Sequence, residues 1–514
     1  MSKVTSGLFV SGITLGVLGM TVACASSSDG AQRSTQTVPA VDCPPSFGDW
    51  TENTAYTRGD LVHFGAEVYR CVQSHTALSV WPPDIVPALW EPVTCSDGTG
   101  PSADGGVTPP PGTDAGPPAP ESDSASDTAA PPPPTDGAPP PPPPPPGPAG
   151  DQKVIAYFAA WDVYGRNFHV TDIDASLITH LNYAFLNIAG GECVLGDSYA
   201  EIDKSYPGDT WDAGALRGSF HQLQILKSKF PKLKVLLSIG GWTWSSGFSD
   251  AAATDASRTK FANSCVALMS KYGFDGLDVD WEYPTGGGLA AGRPEDKQNY
   301  TLLLAALRGA LGGDHLLTIA APAGPTHIAN LEVSKLKDYV DSINIMTYDF
   351  HGAWDLKTGH NSPLYQEKAD PSPAGWSTDG AVQAYLAAGV PASKIVVGAA
   401  FYGRGWAGVP SANNGLYQSA TGASPGTWEQ GVLDYKDIAA NYLPTFSRFV
   451  SSESKVPWIY SASRQIMITY DDAESLGVRA RYVRDQKLGG VMVWELSSDD
   501  KAHTLGKALW SGLH

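Results

Sequence analysis

The sequence predicts an α/β fold, a (β/α)8 TIM barrel, for residues 152–512, and three observations support it. Eight apolar runs typical of β-strands recur between residues 153 and 496. Helical patterns separate most of them, which is typical of a parallel sheet covered by helices on both faces. The interval between the seventh and eighth runs, residues 405–468, lacks this spacing and is rich in Gly, Ser, Tyr and Trp. We predict a small inserted α+β subdomain there.

The predicted barrel strands follow in chain order, and helices such as 256–273 lie between them. The strands are KVIAYF (153–158), ITHLNYAFL (178–186), KVLLSIGG (234–241), FDGLDVD (274–280), LLTIAA (316–321), SINIMTY (342–348), KIVVGAAFY (394–402) and GGVMVWEL (489–496). In such a barrel the functional side chains gather at the C-terminal ends of the strands.

The N-terminus is typical of an export signal, predicted for residues 1–25. Lys3 precedes the apolar run 7–23, which is too short for a membrane span and ends in small residues. Ala23-Cys24-Ala25 fits a cleavage site, whereas Thr21–Cys24 resembles a bacterial lipobox with a lipid anchor at Cys24. Both interpretations place the mature protein outside the cytoplasm, either secreted or anchored to the outer membrane.

Residues 43–95 are predicted to form a small all-β module. Short alternating stretches recur there among aromatic residues such as Trp50, Tyr69 and Trp81, with glycines at the turns. The core of so short a segment is thin, so we predict a disulfide between Cys43 and Cys95. Cys71 lies in an apolar strand-like context and is predicted to be a buried thiol. For Cys193 and Cys265 the sequence leaves open whether they pair.

Residues 96–150 are predicted to be an extended linker. They contain 20 prolines and no aromatic residue, Lys or Arg, so they cannot bury a core. The proline runs favour a stiff polyproline helix. The linker separates two folded parts that act apart.

The chain is acidic, with 34 Lys and Arg against 53 Asp and Glu. This balance disfavours nucleic acid as a partner, because phosphate binding needs a cationic surface. It suits a neutral polymer such as a polysaccharide, and the 15 Trp provide flat faces that stack on sugar rings.

The fourth predicted strand carries an unusual number of carboxylates, in the stretch FDGLDVDWEY at 274–283. Side chains alternate along a strand, so Asp278, Asp280 and Glu282 point the same way, each about 7 Å from the next. Asp275 does not share that parity and is predicted to be structural. We expect the three aligned carboxylates to face the barrel interior.

Three neighbouring carboxylates cannot all stay ionised cheaply, so the group should hold a proton. Glu282 lies nearest the barrel mouth and is predicted to be a general acid, with Asp280 sharing its proton. The alternatives are a Mg²⁺ or Ca²⁺ site and a structural ion network. The sequence has neither an EF-hand pattern nor a His cluster, so we expect no metal and no cofactor.

These residues resemble family 18 glycoside hydrolases, the chitinases, over essentially all of 152–510. The pattern D-G-x-D-x-D-W-E is met by Asp275, Gly276, Asp278, Asp280, Trp281 and Glu282. The stretches SIGGW (238–242), MTYDFHG (346–352), FYGRGW (401–406) and GGVMVWELSSDD (489–500) resemble further motifs of the family, in the same order. Residues 405–468 resemble the chitinase insertion domain.

The resemblance implies substrate-assisted retention, an exception among glycosidases. Glu282 would protonate the glycosidic oxygen while the acetamido group of the substrate attacks the anomeric carbon. Asp280 would hydrogen-bond the acetamido N–H, Asp278 would share the proton from below, and Tyr348 would donate to the acetamido oxygen. Glu282 would then activate water, with β configuration retained.

The resemblance also implies a sugar-binding set at the strand ends. Trp494 would form the floor under the sugar, and its alternative is a barrel plug. For Arg404 the alternative is a structural ion pair. Trp242 and Trp281 follow the third and fourth strands, and we expect Trp242 to serve a further subsite and Trp281 to pack. Trp211 lies in the polar stretch GDTWDAG, where we expect it to be exposed and to guide a single chain. The remaining lining residues would be Tyr157, Phe185, Met346, Asp349 and Tyr402.

Residues 43–95 resemble the chitin-binding modules of bacterial chitinases. This resemblance implies that Trp81 is the exposed binding aromatic, and that Trp50 and Trp90 are mainly core. We expect a monomeric chitinase that binds chitin and N-acetylglucosamine oligomers without an obligatory protein partner. The alternatives are an endo-β-N-acetylglucosaminidase, which the module and insertion disfavour, and a non-hydrolytic chitin lectin, which the presence of Glu282 disfavours.

Overall fold

The computed structural model describes residues 40–41, 43–44, 46–51, 54–65, 67–71, 75–76, 83, 90–95, 152–212 and 214–514. The chain divides into two compact units, Met1–Pro111 and Gly112–His514. The predicted signal segment, Cys24, Trp81 and the linker 96–150 lie outside the described residues.

The N-terminal unit consists of short strands, as the sequence predicts. They are β1 (Ala40–Val41), β2 (Ala55–Tyr56), β3 (Leu61–Phe64), β4 (Glu67–Cys71), β5 (His75–Thr76) and β6 (Trp90–Cys95). One sheet has the order β1-β6-β4-β3, and β2 pairs with β5. Trp90 and Cys71 are buried in its core, against which Trp50 packs. The predicted disulfide between Cys43 and Cys95 is confirmed.

The C-terminal unit contains a closed barrel of eight parallel strands, which confirms the predicted fold class. The strands are β7 (Lys153–Ala159), β8 (His180–Ala189), β10 (Lys234–Gly240), β11 (Gly276–Asp280), β12 (Leu316–Pro322), β13 (Ser342–Met346), β14 (Ile395–Ala400) and β21 (Gly490–Trp494). Their order is β10-β11-β12-β13-β14-β21-β7-β8, and β8 pairs with β10 to close the barrel.

A short hairpin that the sequence does not predict extends the second barrel strand. β9 (Glu192–Val194) pairs antiparallel with the end of β8. Cys193 on this strand forms a disulfide with Cys265, which answers the question that the sequence leaves open.

Helices cover the barrel, and their ends follow local rules. The helix predicted at 256–273 is observed at Asp255–Tyr272; the Thr254 hydroxyl accepts from the Ser257 N–H at its start, and Gly273 ends it at φ 74°. The α-helices are α1 (Gly218–Lys229), α2 (Gly241–Trp244), α3 (Phe248–Ala252), α4 (Asp255–Tyr272), α5 (Asp296–Leu311), α6 (Pro325–Ile328), α7 (Val333–Leu336), α8 (Thr378–Ala387), α9 (Tyr435–Asp437), α10 (Ala473–Asp485) and α11 (Thr504–Leu513).

The interval between β14 and β21 contains a six-stranded antiparallel sheet. Its strands are β15 (Tyr402–Ala407), β16 (Gly422–Ala423), β17 (Val432–Asp434), β18 (Ser447–Val450), β19 (Pro457–Ser461) and β20 (Ile466–Thr469). The sheet begins at Tyr402, a little before the predicted start of the insertion at 405. Trp406 and Met467 are fully buried in its core.

Within the described ranges, no helix combines the length and the apolar character that crossing a membrane requires.

Candidate active site

The carboxylate of Asp278 is buried at the centre of the barrel and accepts four hydrogen bonds. Tyr157 Oη and Ser238 Oγ donate to its Oδ2 at 2.6 and 2.8 Å, and Thr318 Oγ1 and Asn344 Nδ2 donate to its Oδ1 at 2.5 and 3.3 Å. Burial raises the pKa of Asp278, whereas these donors stabilise the carboxylate. Because protein donors occupy both oxygens, this carboxylate is poorly suited to bind a cation.

Asp280, two residues further along β11, is buried as well, but its surroundings differ. Among the described residues, its Oδ1 has no hydrogen-bond partner. Burial raises the pKa of Asp280 well above its ordinary value, and the charges of Glu282 and Asp278 raise it further. The proton of the carboxylate row therefore belongs on Asp280.

Glu282 lies just beyond the end of β11 and is partly exposed. Its backbone N–H donates to Ser245 Oγ at 2.9 Å, which fixes the turn after the strand. Burial raises the pKa of Glu282 to about 7; a hydrogen bond with Tyr283 opposes this shift and the charge of Asp349 adds to it. A carboxyl that is half protonated near neutral pH suits a general acid that later acts as a base.

Asp275 has a structural environment instead. Its Oδ2 accepts from the Val235 N–H at 2.8 Å and lies 2.8 Å from Lys227 Nζ. The parity argument that separates Asp275 from the other three carboxylates therefore agrees with the geometry.

Tyr348 follows β13 and is partly exposed near the row of acids. Its hydroxyl makes a long contact of 3.5 Å with Met492 Sδ. Burial raises the pKa of Tyr348 well above its ordinary value, and the charge of Asp280 contributes. The phenol therefore stays neutral and keeps a proton to donate.

Aromatic rings cluster around Trp494 at the end of β21. The Phe185 ring stacks on Trp494 at 5.7 Å, and the Tyr157 ring is tilted at 5.3 Å from it. Trp161, which the sequence analysis missed, is 40% exposed and lies 6.3 Å from Trp494. The position of Trp161, just after the C-terminal end of the first barrel strand, could have predicted that it lies at the site. Tyr157 is predicted to line a subsite, yet it is buried and its hydroxyl is engaged by Asp278.

A second polar group lies beside the acids. Arg404 donates to both oxygens of Asp349 at 2.8 Å, and Tyr402 Oη donates to Asp349 Oδ1 at 2.7 Å. Arg404 thus forms the ion pair that the sequence analysis held as an alternative to sugar binding. Its guanidinium lies 4.9 Å from the ring centroid of Trp354, which is 57% exposed and which the sequence analysis also missed.

The other predicted aromatic residues differ in exposure. Trp242 is exposed, directly after β10, whereas Trp281 is buried and stacks on Phe248 at 5.1 Å. Trp211 is 74% exposed, and the Arg217 guanidinium lies 4.3 Å from its ring. Met346 ends β13 and is partly exposed. In the part of the chain that the structure describes, no cluster of His, Cys, Asp or Glu is placed to hold a metal ion.

Two family models match this chain. The model described as glycosyl hydrolases family 18 matches residues 153–499, and carbohydrate-binding module family 5/12 matches residues 49–91. Chitinase A1 of Niallia circulans is 45% identical over 399 residues, which cover 68% of this chain and 57% of that protein. Chitinase 1 of Aphanocladium album is 40% identical over 359 residues, 67% of this chain and 81% of that protein. The match thus spans little more than half the length of the first of these relatives.

Solved structures of chitinases are also similar to this chain. Chitinase ChiA74 from Bacillus thuringiensis is similar with a TM-score of 0.68 and 40% identity, over 71% of this chain and 70% of that one. The catalytic domain of psychrophilic chitinase B from Arthrobacter TAD20 gives a TM-score of 0.66 and 34% identity, over 71% and 95% of the two chains.

Proposed function

The chain belongs to family 18 of the glycosyl hydrolases, and from this premise we propose that it is a chitinase. It cleaves β-1,4 linkages between N-acetylglucosamine units of chitin. The observation that carries the proposal is the row of Asp278, Asp280 and Glu282. Burial and the charges of its two neighbours keep a proton on Asp280, and burial together with the charge of Asp349 raises the pKa of Glu282 to about 7.

The row suits a reaction in which the substrate supplies the nucleophile. Glu282 protonates the glycosidic oxygen, and the acetamido carbonyl of the sugar attacks the anomeric carbon to form an oxazolinium ion. Asp280 hydrogen-bonds the acetamido N–H and stabilises the developing positive charge, Asp278 shares the proton from below, and Tyr348 donates to the acetamido oxygen. The Glu282 carboxylate then takes a proton from a water molecule that attacks the anomeric carbon. This attack opens the oxazolinium ring, and the product retains the β configuration.

The aromatic group provides the surface on which the sugar lies. Trp494 forms the floor, and the stacked ring of Phe185 supports it. Asp349, with Tyr402 and Arg404 bonded to it, forms a polar wall near Glu282. Met346 and Trp242, at the ends of β13 and β10, line the same cleft.

The N-terminal unit serves as an anchor on insoluble chitin, through Trp81. A tethered catalytic unit then meets chains at a raised local concentration. Trp211, with its exposed indole, guides a single chain toward the cleft. The protein is exported by its N-terminal signal, acts as a monomer, and is either released or held by lipid at Cys24.

Release of soluble N-acetylglucosamine oligomers from colloidal chitin tests the proposal. The wild type should release oligomers, and Glu282→Gln should release almost none. Glu192→Gln, at an exposed ion pair with Lys260, is the matched control and should behave as wild type. Equal release by the wild type and Glu282→Gln would remove the assigned acid. No release by the wild type would favour the lectin alternative, and cleavage confined to glycoprotein glycans would favour the endo-β-N-acetylglucosaminidase.

A further inference from the structure

The segment after β13 contains a buried imidazole that the proposed mechanism does not use. His351 is only 7% exposed. Its Nδ1 lies 3.0 Å from Asp355 Oδ2, and its Nε2 lies 3.1 Å from Ser372 Oγ and 3.5 Å from Asp370 Oδ1. The side chain thus bridges two loops, with a carboxylate near each ring nitrogen.

This geometry favours the charged form of the ring. A neutral imidazole has a single N–H, so one carboxylate would face a lone pair, whereas an imidazolium satisfies both. Burial alone would lower the pKa of His351, but the hydrogen bonds to Asp355 and Asp370 outweigh it and raise the pKa to about 9. Burial alone would raise the pKa of Asp370, but the bonds from His351 and Ser372 leave it below its ordinary value.

The ring has little room to move away from these partners. Gly359 packs so closely that a Cβ there would lie 2.4 Å from the imidazole. The charged groups that act on His351 are Asp355, from its own turn, and Asp370, from the loop that precedes α8. Both are acidic, so the described surroundings favour the imidazolium from both sides.

The bond from His351 to Asp355 closes the turn that carries Trp354. Trp406 Nε1 donates to the Asp355 carbonyl at 3.1 Å, which holds the far end of the turn against the insertion sheet. The Trp354 ring folds back over Gly352, where a Cβ would lie 2.2 Å from the ring. Its other neighbour is Arg404, the partner of Asp349. The turn therefore presents an exposed indole beside the polar wall near Glu282.

We propose that His351, as an imidazolium, is a positioning residue that holds Trp354 in the cleft for a bound sugar chain. Loss of one ring proton leaves a single N–H for the two carboxylates, which loosens the turn and weakens binding of the oligosaccharide, while the chemical step at Glu282 is unchanged. The inference rests on the proposed function, because it takes the polymer against Trp354 to be an N-acetylglucosamine chain.

Binding without turnover tests this role. Affinity for the N-acetylglucosamine hexasaccharide is measured by calorimetry from pH 6 to 10 in a Glu282→Gln background, which also removes the titration of Glu282. We expect affinity to fall about fivefold as the pH rises through the His351 pKa, since a stacked ring contributes roughly 1 kcal/mol. His351→Gln should bind about fivefold more weakly at pH 7 and show no such fall. His315→Gln should behave as the background.

Two further measurements separate this inference from the proposed function. The His351 ring signals, assigned by their loss in His351→Gln, should titrate near pH 9 by NMR. The fluorescence of Trp354 is obtained as the difference between the background protein and its Trp354→Phe variant. Quenching of this fluorescence by acrylamide should increase above that pH. If His351→Gln does not fold, Asp355→Asn, which removes one carboxylate, should lower the ring pKa instead.

Each outcome decides the inference. Titration of His351 at or below its ordinary pKa would overturn it, and so would an affinity that stays constant while the ring titrates near pH 9. Failure of the hexasaccharide to bind at any pH would overturn the proposed function, and the binding role with it. The NMR titration and the quenching would still decide whether His351 holds the turn.

Discussion

Asp278 and Asp280 lie two residues apart on β11, yet Asp278 accepts four hydrogen bonds whereas Oδ1 of Asp280 accepts none among the described residues. This asymmetry divides the charge of the row. Hydrogen-bond donors stabilise the carboxylate of Asp278, whereas burial and the charges of Glu282 and Asp278 keep a proton on Asp280. The carboxyl of Asp280 is therefore the one that can turn toward a substrate amide.

Replacement of Asp280 tests that division. Asp280→Asn removes the group that shares its proton with Glu282, so we expect kcat on a soluble N-acetylglucosamine oligomer to fall at least about a hundredfold. The melting temperature should change little, because the amide is nearly isosteric. Asp338→Asn, at an exposed ion pair with Lys337, should leave both quantities unchanged. A near-normal kcat for Asp280→Asn would exclude its part in the reaction.

The pKa of Glu282 predicts the alkaline limb of the pH profile. Glu282 must be protonated to act as the acid. We therefore expect kcat/KM to be at its maximum below pH 7 and to fall tenfold for each pH unit above it. Asp349 raises the pKa of Glu282 by its charge, so Asp349→Asn should move this limb to lower pH. Measured profiles of kcat/KM check the shift, and a limb that moves upward would contradict the assigned interaction.

The role of Trp494 as a floor predicts graded effects of ring size. Trp494→Ala removes the stacking surface and leaves Phe185 without its partner, so kcat/KM on soluble oligomers should fall roughly ten- to a hundredfold. Trp494→Phe keeps a flat ring and should recover much of the loss. If the alanine variant kept its full kcat/KM, Trp494 would only be a plug of the barrel.

The anchoring role of the N-terminal unit predicts a difference between substrates. Deletion of residues 43–95 should reduce activity on crystalline chitin about tenfold, because the local concentration of the enzyme falls. Activity on short soluble oligomers should not change, since residues 112–514 form a compact unit of their own. Parallel rates on both substrates measure the effect, and an equal loss on both would contradict anchoring.

Much of this fold follows from local patterns in the sequence. Long apolar runs predict all eight barrel strands, because strands covered on both faces are apolar throughout. The cap at Thr254 and the glycine at 273 fix α4 nearly to the residue. β9 was not predictable in this way, because three residues without alternation depend on pairing with β8.

The site was predictable where its residues share one strand, and less so elsewhere. The alignment of Asp278, Asp280 and Glu282 follows from the period of β11. The donors to Asp278 come from four other strands, up to 121 positions away, so only closure of the barrel brings them together. Trp354 was missed for a related reason, because its place beside Arg404 depends on the insertion sheet.

The insertion sheet shares residues with the candidate active site and is not a separate domain attached to the barrel. β15 begins two residues after β14 ends, and this one strand supplies both Tyr402 and Arg404 to Asp349. Removal of the whole sheet would therefore take away two residues that bond Asp349, whose charge raises the pKa of Glu282. Protein engineers who seek altered product lengths should graft the connections around β16 and β17 and keep β15 intact.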